Sequence, residues 1–179
     1  RNKLWVATDQ GLYRLETDTW ELHSDKGNWS QLQSNSHSMW GVDNNGLIWN
    51  TSQQDITGLS RAGKALSVAP SGLSVCVGTS DGIVRYWRAR TPTIEDVLGD
   101  ADLDVAITAV AGDDSGGCWV AGEDGSIGHI DIDGNARWSV LPIEDPPQIR
   151  RLIPERQAVW VLSDKGLWRI PFLGVSTEK

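Results

Sequence analysis

Short apolar runs alternate with polar, glycine-ended turns along the chain, and five of these units share one register. LWVATDQGLYRL, MWGVDNNGLIWN, VCVGTSDGIVRY, CWVAGEDGSIGH and VWVLSDKGLWRI align on Gly11, Gly46, Gly82, Gly125 and Gly166, spaced 35, 36, 43 and 41 residues apart. Six positions before each glycine stand Trp5, Trp40, Cys76, Trp119 and Trp160. Two before it stand Asp9, Asn44, Ser80, Glu123 and Asp164, and two after it Tyr13, Ile48, Val84, Ile127 and Trp168. An apolar run, a polar turn ending in glycine and a second apolar run predict a β-hairpin. The spans are about 3–15, 38–50, 74–87, 117–131 and 158–170. The glycine supplies the positive φ that tight turns need, and the polar residue two before it suits the turn entry. The runs lack a 3.6-residue period, which disfavours helix.

The first strand of each hairpin is apolar on both sides: Leu4 and Val6 oppose Trp5 and Ala7, and Val159 and Val161 oppose Trp160 and Leu162. Such a strand is expected between two layers. Further strands are expected at Trp20–Leu22 and Ala136–Val140 after hairpins, and at Ala65–Val68, Ile107–Val110 and Arg151–Ile153 before them. About four short strands in each unit of 35–43 residues make an all-β chain of about five propeller blades. The 179 residues then form one β-propeller domain or part of a larger one. A β-sandwich is the competing architecture. The first hairpin opens the chain, so the ring is expected not to close by itself, with a continuation or partner chain supplying the strand before it.

Ten tryptophans against one Phe and two Tyr fit a repeated wedge residue. Trp5, Trp40, Trp119 and Trp160 take that structural role, whereas Trp49, Trp87, Trp138 and Trp168 lie off the register. With 24 acidic and 16 basic residues the net charge is −8. That balance argues against nucleic acid and against an anionic membrane surface. No apolar run is long enough for a transmembrane helix. The charge is uneven: Thr91 to Ile149 holds 13 acids and one base, Arg137. Asp100, Asp102, Asp104, Asp113 and Asp114 in this stretch are the expected contact residues for a protein partner with a basic surface.

Candidate chemistry is sparse. His23, His37 and His129 occupy no equivalent positions and show no metal-ligand spacing, so each is read as solvated or structurally satisfied. Cys76 and Cys118 are expected to point to opposite sheet faces and to remain unpaired, each a small buried hydrophobe. Asp100, Asp102 and Asp104 alternate like part of a calcium loop but lack the loop's glycine and distal glutamate. Asp114-Ser115-Gly116-Gly117 lacks the lysine and the following helix of a phosphate-binding loop. The inner-strand segments bring no paired carboxylates. The chain is therefore read as non-enzymatic, with no cofactor and no metal. A cytoplasmic setting is favoured over a secreted one.

Leu4 to Leu15 resembles the propeller repeat of bacterial two-component regulator sensors, and Val159 to Ile170 is similar to it. Ser38 to Ile48, with Trp29 upstream, resembles a tectonin repeat. Cys118 to Trp138 is similar to a pyrroloquinoline-quinone-type blade, and Val75 to Trp87 to a WD-repeat blade. The WD pattern's Trp-Asp end and Gly-His start are absent. These resemblances share one hairpin chemistry and imply a propeller without fixing a subfamily. The regulator type implies ligand sensing, the tectonin type carbohydrate or trafficking partners, and the WD type protein scaffolding. The expected function is a protein-interaction platform, with a ligand-sensing or carbohydrate-binding propeller as the alternative.

Overall fold

In the computed structural model of the chain the described residues are 4–25, 28–34, 39–50, 53–56, 64–72, 74–82, 84–88, 94–96, 105–133, 135–140, 145–156 and 158–171. Among them the regular elements are all β-strands, in five antiparallel sheets. The first sheet is β1 (Trp5–Thr8), β2 (Gly11–Glu16) and β3 (Thr19–Ser24). The second is β4 (Trp29–Ser34), β5 (Met39–Asp43), β6 (Ile48–Asn50) and β7 (Gln53–Ile56). The third is β8 (Ala65–Ser71), β9 (Ser74–Thr79), β10 (Val84–Arg88) and β11 (Ile94–Asp96). The fourth is β12 (Ile107–Gly112), β13 (Cys118–Gly122), β14 (Ser126–Ile130) and β15 (Ala136–Val140). The fifth is β16 (Ile149–Glu155), β17 (Ala158–Ser163) and β18 (Gly166–Pro171). Within every sheet the strands lie in sequence order.

The strands β1–β2, β5–β6, β9–β10, β13–β14 and β17–β18 pair antiparallel on either side of the aligned glycine turns, and small repeated bonds shape these hairpins. Asn44, Ser80, Glu123 and Asp164 each donate a backbone N–H to the carbonyl just before the first strand of their own sheet, at Asn28, Lys64, Ala106 and Gln148. The side chains of Ser80 and Asp164 accept from the backbone N–H of Lys64 and Gln148 in return. The polar residue two before the glycine therefore pins the entry of the first strand. The turn itself is shaped one residue earlier, where Thr8, Asp43 and Ser163 accept backbone N–H groups across the bend. The first strands β4, β8, β12 and β16 each slip register just after their first residue, at Ser30, Leu66, Thr108 and Arg150. Ser30 and Thr108 then donate to the carbonyls of Val42 and Ala121, equivalent positions of the next strand.

The sheets stack face to face in chain order, with first strands of adjacent sheets side by side. The core is a series of layers between sheets. Trp40, Val42 and Ile48 pack on Val68, Val75 and Val77 of the third sheet. Trp119, Ala121 and Ile127 pack on Leu152, Val159 and Val161 of the fifth. Leu12, with Trp5 and Ala7, meets Met39 and Trp49 of the second. Trp5, Trp40 and Trp119 thus each face the following sheet. Hairpin length modifies the rest. In the first and fifth sheets the pairs Thr8–Gly11 and Ser163–Gly166 close two-residue loops. The second and fourth sheets close longer ones. One residue of difference turns the face over. Tyr13 and Trp168 therefore face the preceding side of their sheets, while Ile48 and Ile127 face the following side.

The cysteine expectation is overturned. Cys76 and Cys118 form a disulfide, with Cα atoms 6.1 Å apart and both side chains fully buried. They do lie on opposite faces of their sheets. Because the sheets stack, the following face of the third sheet meets the preceding face of the fourth, and these are the faces that carry the two thiols.

Candidate functional site

Asp113 ends β12 in a tight loop that its own side chain closes. One carboxylate oxygen accepts the backbone N–H of Ser115 at 2.8 Å and of Gly117 at 2.9 Å, and the Ser115 hydroxyl at 2.6 Å. Short polar side chains favour this self-bonded turn. The single Ser71 hydroxyl proton of the third sheet is shared between the carbonyls of Asp113 and Gly117, both 2.8 Å away, so the loop is tied to the preceding sheet as well. The other carboxylate oxygen lies 2.6 Å from Nε2 of His129 on β14. His129 comes to this point because it pairs with Trp119 across β13 and β14, and their rings sit 4.8 Å apart. Burial disfavours ionised Asp113. The hydrogen bonds from His129, Ser115 and Gly117, with the charge of His129, outweigh it and hold the carboxyl well below the usual carboxylate range.

Above this pair opens a cleft of about 450 Å³ between the fourth and fifth sheets. Trp119 and His129 line it, Asp114 and Ser115 stand exposed on the lip of the fourth sheet, and Pro154, Glu155 and Arg156 form the lip of the fifth. Glu155 accepts the indole N–H of Trp160 at 2.5 Å and bonds Arg169 at 3.2 Å. Those contacts, the indole first, lower its pKa. A smaller recess of about 70 Å³ is also lined by Trp119 and His129, together with Trp138 and Ile170. The Trp138 indole N–H is buried with no hydrogen-bond partner.

The structure treats the sequence-derived contact residues unequally. Asp114 is exposed at the lip, whereas Asp113 turns inward and spends its oxygens on the loop and His129. Asp100, Asp102 and Asp104 lie outside the described residues. His129 is structurally satisfied, as expected, and His23 stands beside Trp5 and Trp49 at ring distances of 4.9 and 5.8 Å. Among the described residues no group of three or more His, Cys, Asp or Glu side chains could hold a metal ion. Sequence reasoning missed the pairing of Asp113 with His129. Its only trace is that Asp113 follows the first strand of the unit in which His129 sits opposite the repeated tryptophan.

No family model matches the chain, and no curated protein matches it in sequence. Among solved structures it is similar to the extracellular domain of BT4673 from B. thetaiotaomicron, named as a putative one component system. The TM-score is 0.72 at 17% identity, over 96% of this chain and 27% of that one. It is similar to virginiamycin B lyase from Staphylococcus aureus with TM-score 0.74 and 11% identity, over 94% of this chain and 62% of that one. A chain of the mitotic checkpoint complex gives TM-score 0.63 at 18% identity, over 94% of this chain and 63% of that one. The chain thus spans about a quarter of the first and about three fifths of the other two. At these identities the likeness shows the fold alone, and that fold is of the β-propeller type.

Proposed function

We propose that this chain is a non-catalytic propeller-type interaction module whose cleft between the fourth and fifth sheets receives a basic segment of a protein partner. The supporting observation is the cleft itself: an aromatic floor of Trp119 and His129 beneath the exposed carboxylate of Asp114. The indole face of Trp119 attracts a lysine or arginine head, and the acid beside it gives a charge-assisted partner. The stretch from Thr91 to Ile149 holds 13 acids and one base, a local negative balance that attracts such a segment. His129 is held by Asp113 and packed on Trp119, which suits a wall better than a proton shuttle. The buried disulfide favours an oxidising compartment over the cytoplasmic one. A cavity of about 450 Å³ also falls in the size range of small-molecule sites, and this favours ligand sensing as the second reading.

The test uses lysine- and arginine-bearing peptides as the probe, followed by NMR of the labelled protein. Binding should shift the Trp119 indole and His129 ring signals. Association should slow as salt rises from 0.05 to about 0.3 M, because the screening length shrinks. Asp114→Asn should weaken binding several-fold with folding unchanged. Shifts elsewhere, or equal binding of acidic control peptides, would contradict the proposal.

A further inference from the structure

We propose that Asn28 is a modification site that carries an asparagine-linked oligosaccharide, and that Asn50, in the same sequence pattern, stays bare. Asn28-Trp29-Ser30 and Asn50-Thr51-Ser52 both have the Asn-x-Ser/Thr form that an oligosaccharide transferase reads, with no proline in the middle. Structural context decides which of the two can be used. An acceptor has to sit on the surface of a chain that passes through a secretory compartment. The proposal therefore rests on the oxidising setting that the buried disulfide favours, and not on the cleft.

Asn28 meets the surface condition. It is exposed and stands just before β4. Its φ of +66° is left-handed, a conformation that asparagine adopts more readily than most residues with a side chain. The backbone there is held, because the Asn28 carbonyl accepts the Asn44 N–H at 2.8 Å. The next residue, Trp29, is half-buried, with its ring 5.7 Å from that of Trp49. The chain is thus anchored inward at Trp29 while Asn28 stays outside. The second sheet does not line the cleft, so a glycan on Asn28 leaves the cleft open.

Asn50 fails the same condition. It is 4% exposed and lies on β6, in register with Trp40 of β5 on one side and Gln53 of β7 on the other. Trp40 packs into the layer against Val75 and Val77 of the third sheet. A sugar on Asn50 would have to enter the packed second sheet, so a folded chain cannot carry one there.

The co-substrate is an oligosaccharide on a lipid diphosphate. Nδ2 of Asn28 bonds to the anomeric carbon, the bond from that carbon to the diphosphate oxygen breaks, the lipid diphosphate leaves, and the amide proton passes to a base of the transferase. The Ser30 hydroxyl that the transferase needs donates to the Val42 carbonyl at 2.9 Å in the folded chain. Transfer therefore precedes the pairing of β4 with β5.

The test is secretion of the chain from a eukaryotic cell behind a cleavable signal, followed by peptide mapping with and without peptide-N-glycosidase. The secreted protein should carry a glycan on Asn28 and none on Asn50. Asn28→Asp keeps the size and a side chain that tolerates the left-handed turn, and Ser30→Ala keeps Asn28 itself. Each should abolish the glycan, while Ser30→Thr should retain it. Translation in the presence of microsomes scores transfer to Asn28 in any variant that folds too poorly to be secreted. Wild-type chain without a glycan on Asn28 in both systems would overturn the proposal. So would a glycan that survives Asn28→Asp and Ser30→Ala, or one on Asn50 of the secreted protein. The basic-peptide titration reads the fourth and fifth sheets, so either proposal can fail without the other.

Discussion

Asp113 shows how one side chain can hold a cleft in shape. Its carboxylate closes the loop after β12 and anchors His129, which with Trp119 floors the cleft. Asp113→Asn keeps the size but replaces an ionised acceptor with an amide facing the ring nitrogen. Losing charge-assisted bonds at a mostly buried site costs about 1–3 kcal/mol, and urea unfolding at pH 7 should show that loss. The pH dependence has a definite sign. Because the folded carboxyl has a lowered pKa, its contribution is complete above the ordinary aspartate value and fades as pH falls below it. Wild type and variant should therefore converge in stability below about pH 4. A gap of equal size at pH 7 and pH 3 would show that the ionised form does not matter. The sequence made Asp113 and Asp114 look alike as acids in a polar loop. Their separation into an inward anchor and an exposed lip residue depends on His129, 16 residues away, and no local pattern reports that distance.

At the scale of the hairpin the sequence was most legible, because apolar runs, turn glycines and the repeated tryptophan are local features. Gly46 carries a φ of +81°, and an added Cβ would come within 2.8 Å of the Ala65 backbone nitrogen and 2.6 Å of the Lys64 side chain. Gly46→Ala should therefore destabilise by about 1–3 kcal/mol, through backbone strain and the clash together. Gly72→Ala is the control, since its φ of +54° is also unfavourable but open space surrounds it. It should cost about 1 kcal/mol. Equal losses in thermal unfolding would remove the crowding argument. What the sequence hid was hairpin length. Aligning all five units on glycine puts Tyr13 and Trp168 level with Ile48 and Ile127, yet the two-residue loops of the outer sheets turn them to the opposite face. The residue two before the glycine was recognised as a turn residue, but its role in fixing the first strand needs a partner about 16 residues upstream.

At the scale of the whole molecule, stacking order decides everything that reaches between sheets. The cleft exists because the Trp119 face of the fourth sheet packs on the fifth. The disulfide exists because the following face of the third sheet meets the preceding face of the fourth. Face alternation within a strand could be read from sequence, and it placed the cysteines correctly on opposite faces. That consecutive sheets turn those faces toward each other is a property of the stack, so the pairing was missed. Closing a loop of 42 residues restricts the unfolded chain by about 4 kcal/mol in the loop-entropy picture. Cys118→Ser should lower unfolding stability by about 2–4 kcal/mol in oxidising buffer. Addition of reductant should bring wild type down toward the variant. The most direct measurement of the stacking order on which the cleft depends is mass-spectrometric mapping of the protein digested without reduction after oxidative refolding. A single linked species joining the Cys76 and Cys118 peptides within one chain is the predicted result. Two free thiols under those conditions, or links only between chains, would contradict the face-to-face stack.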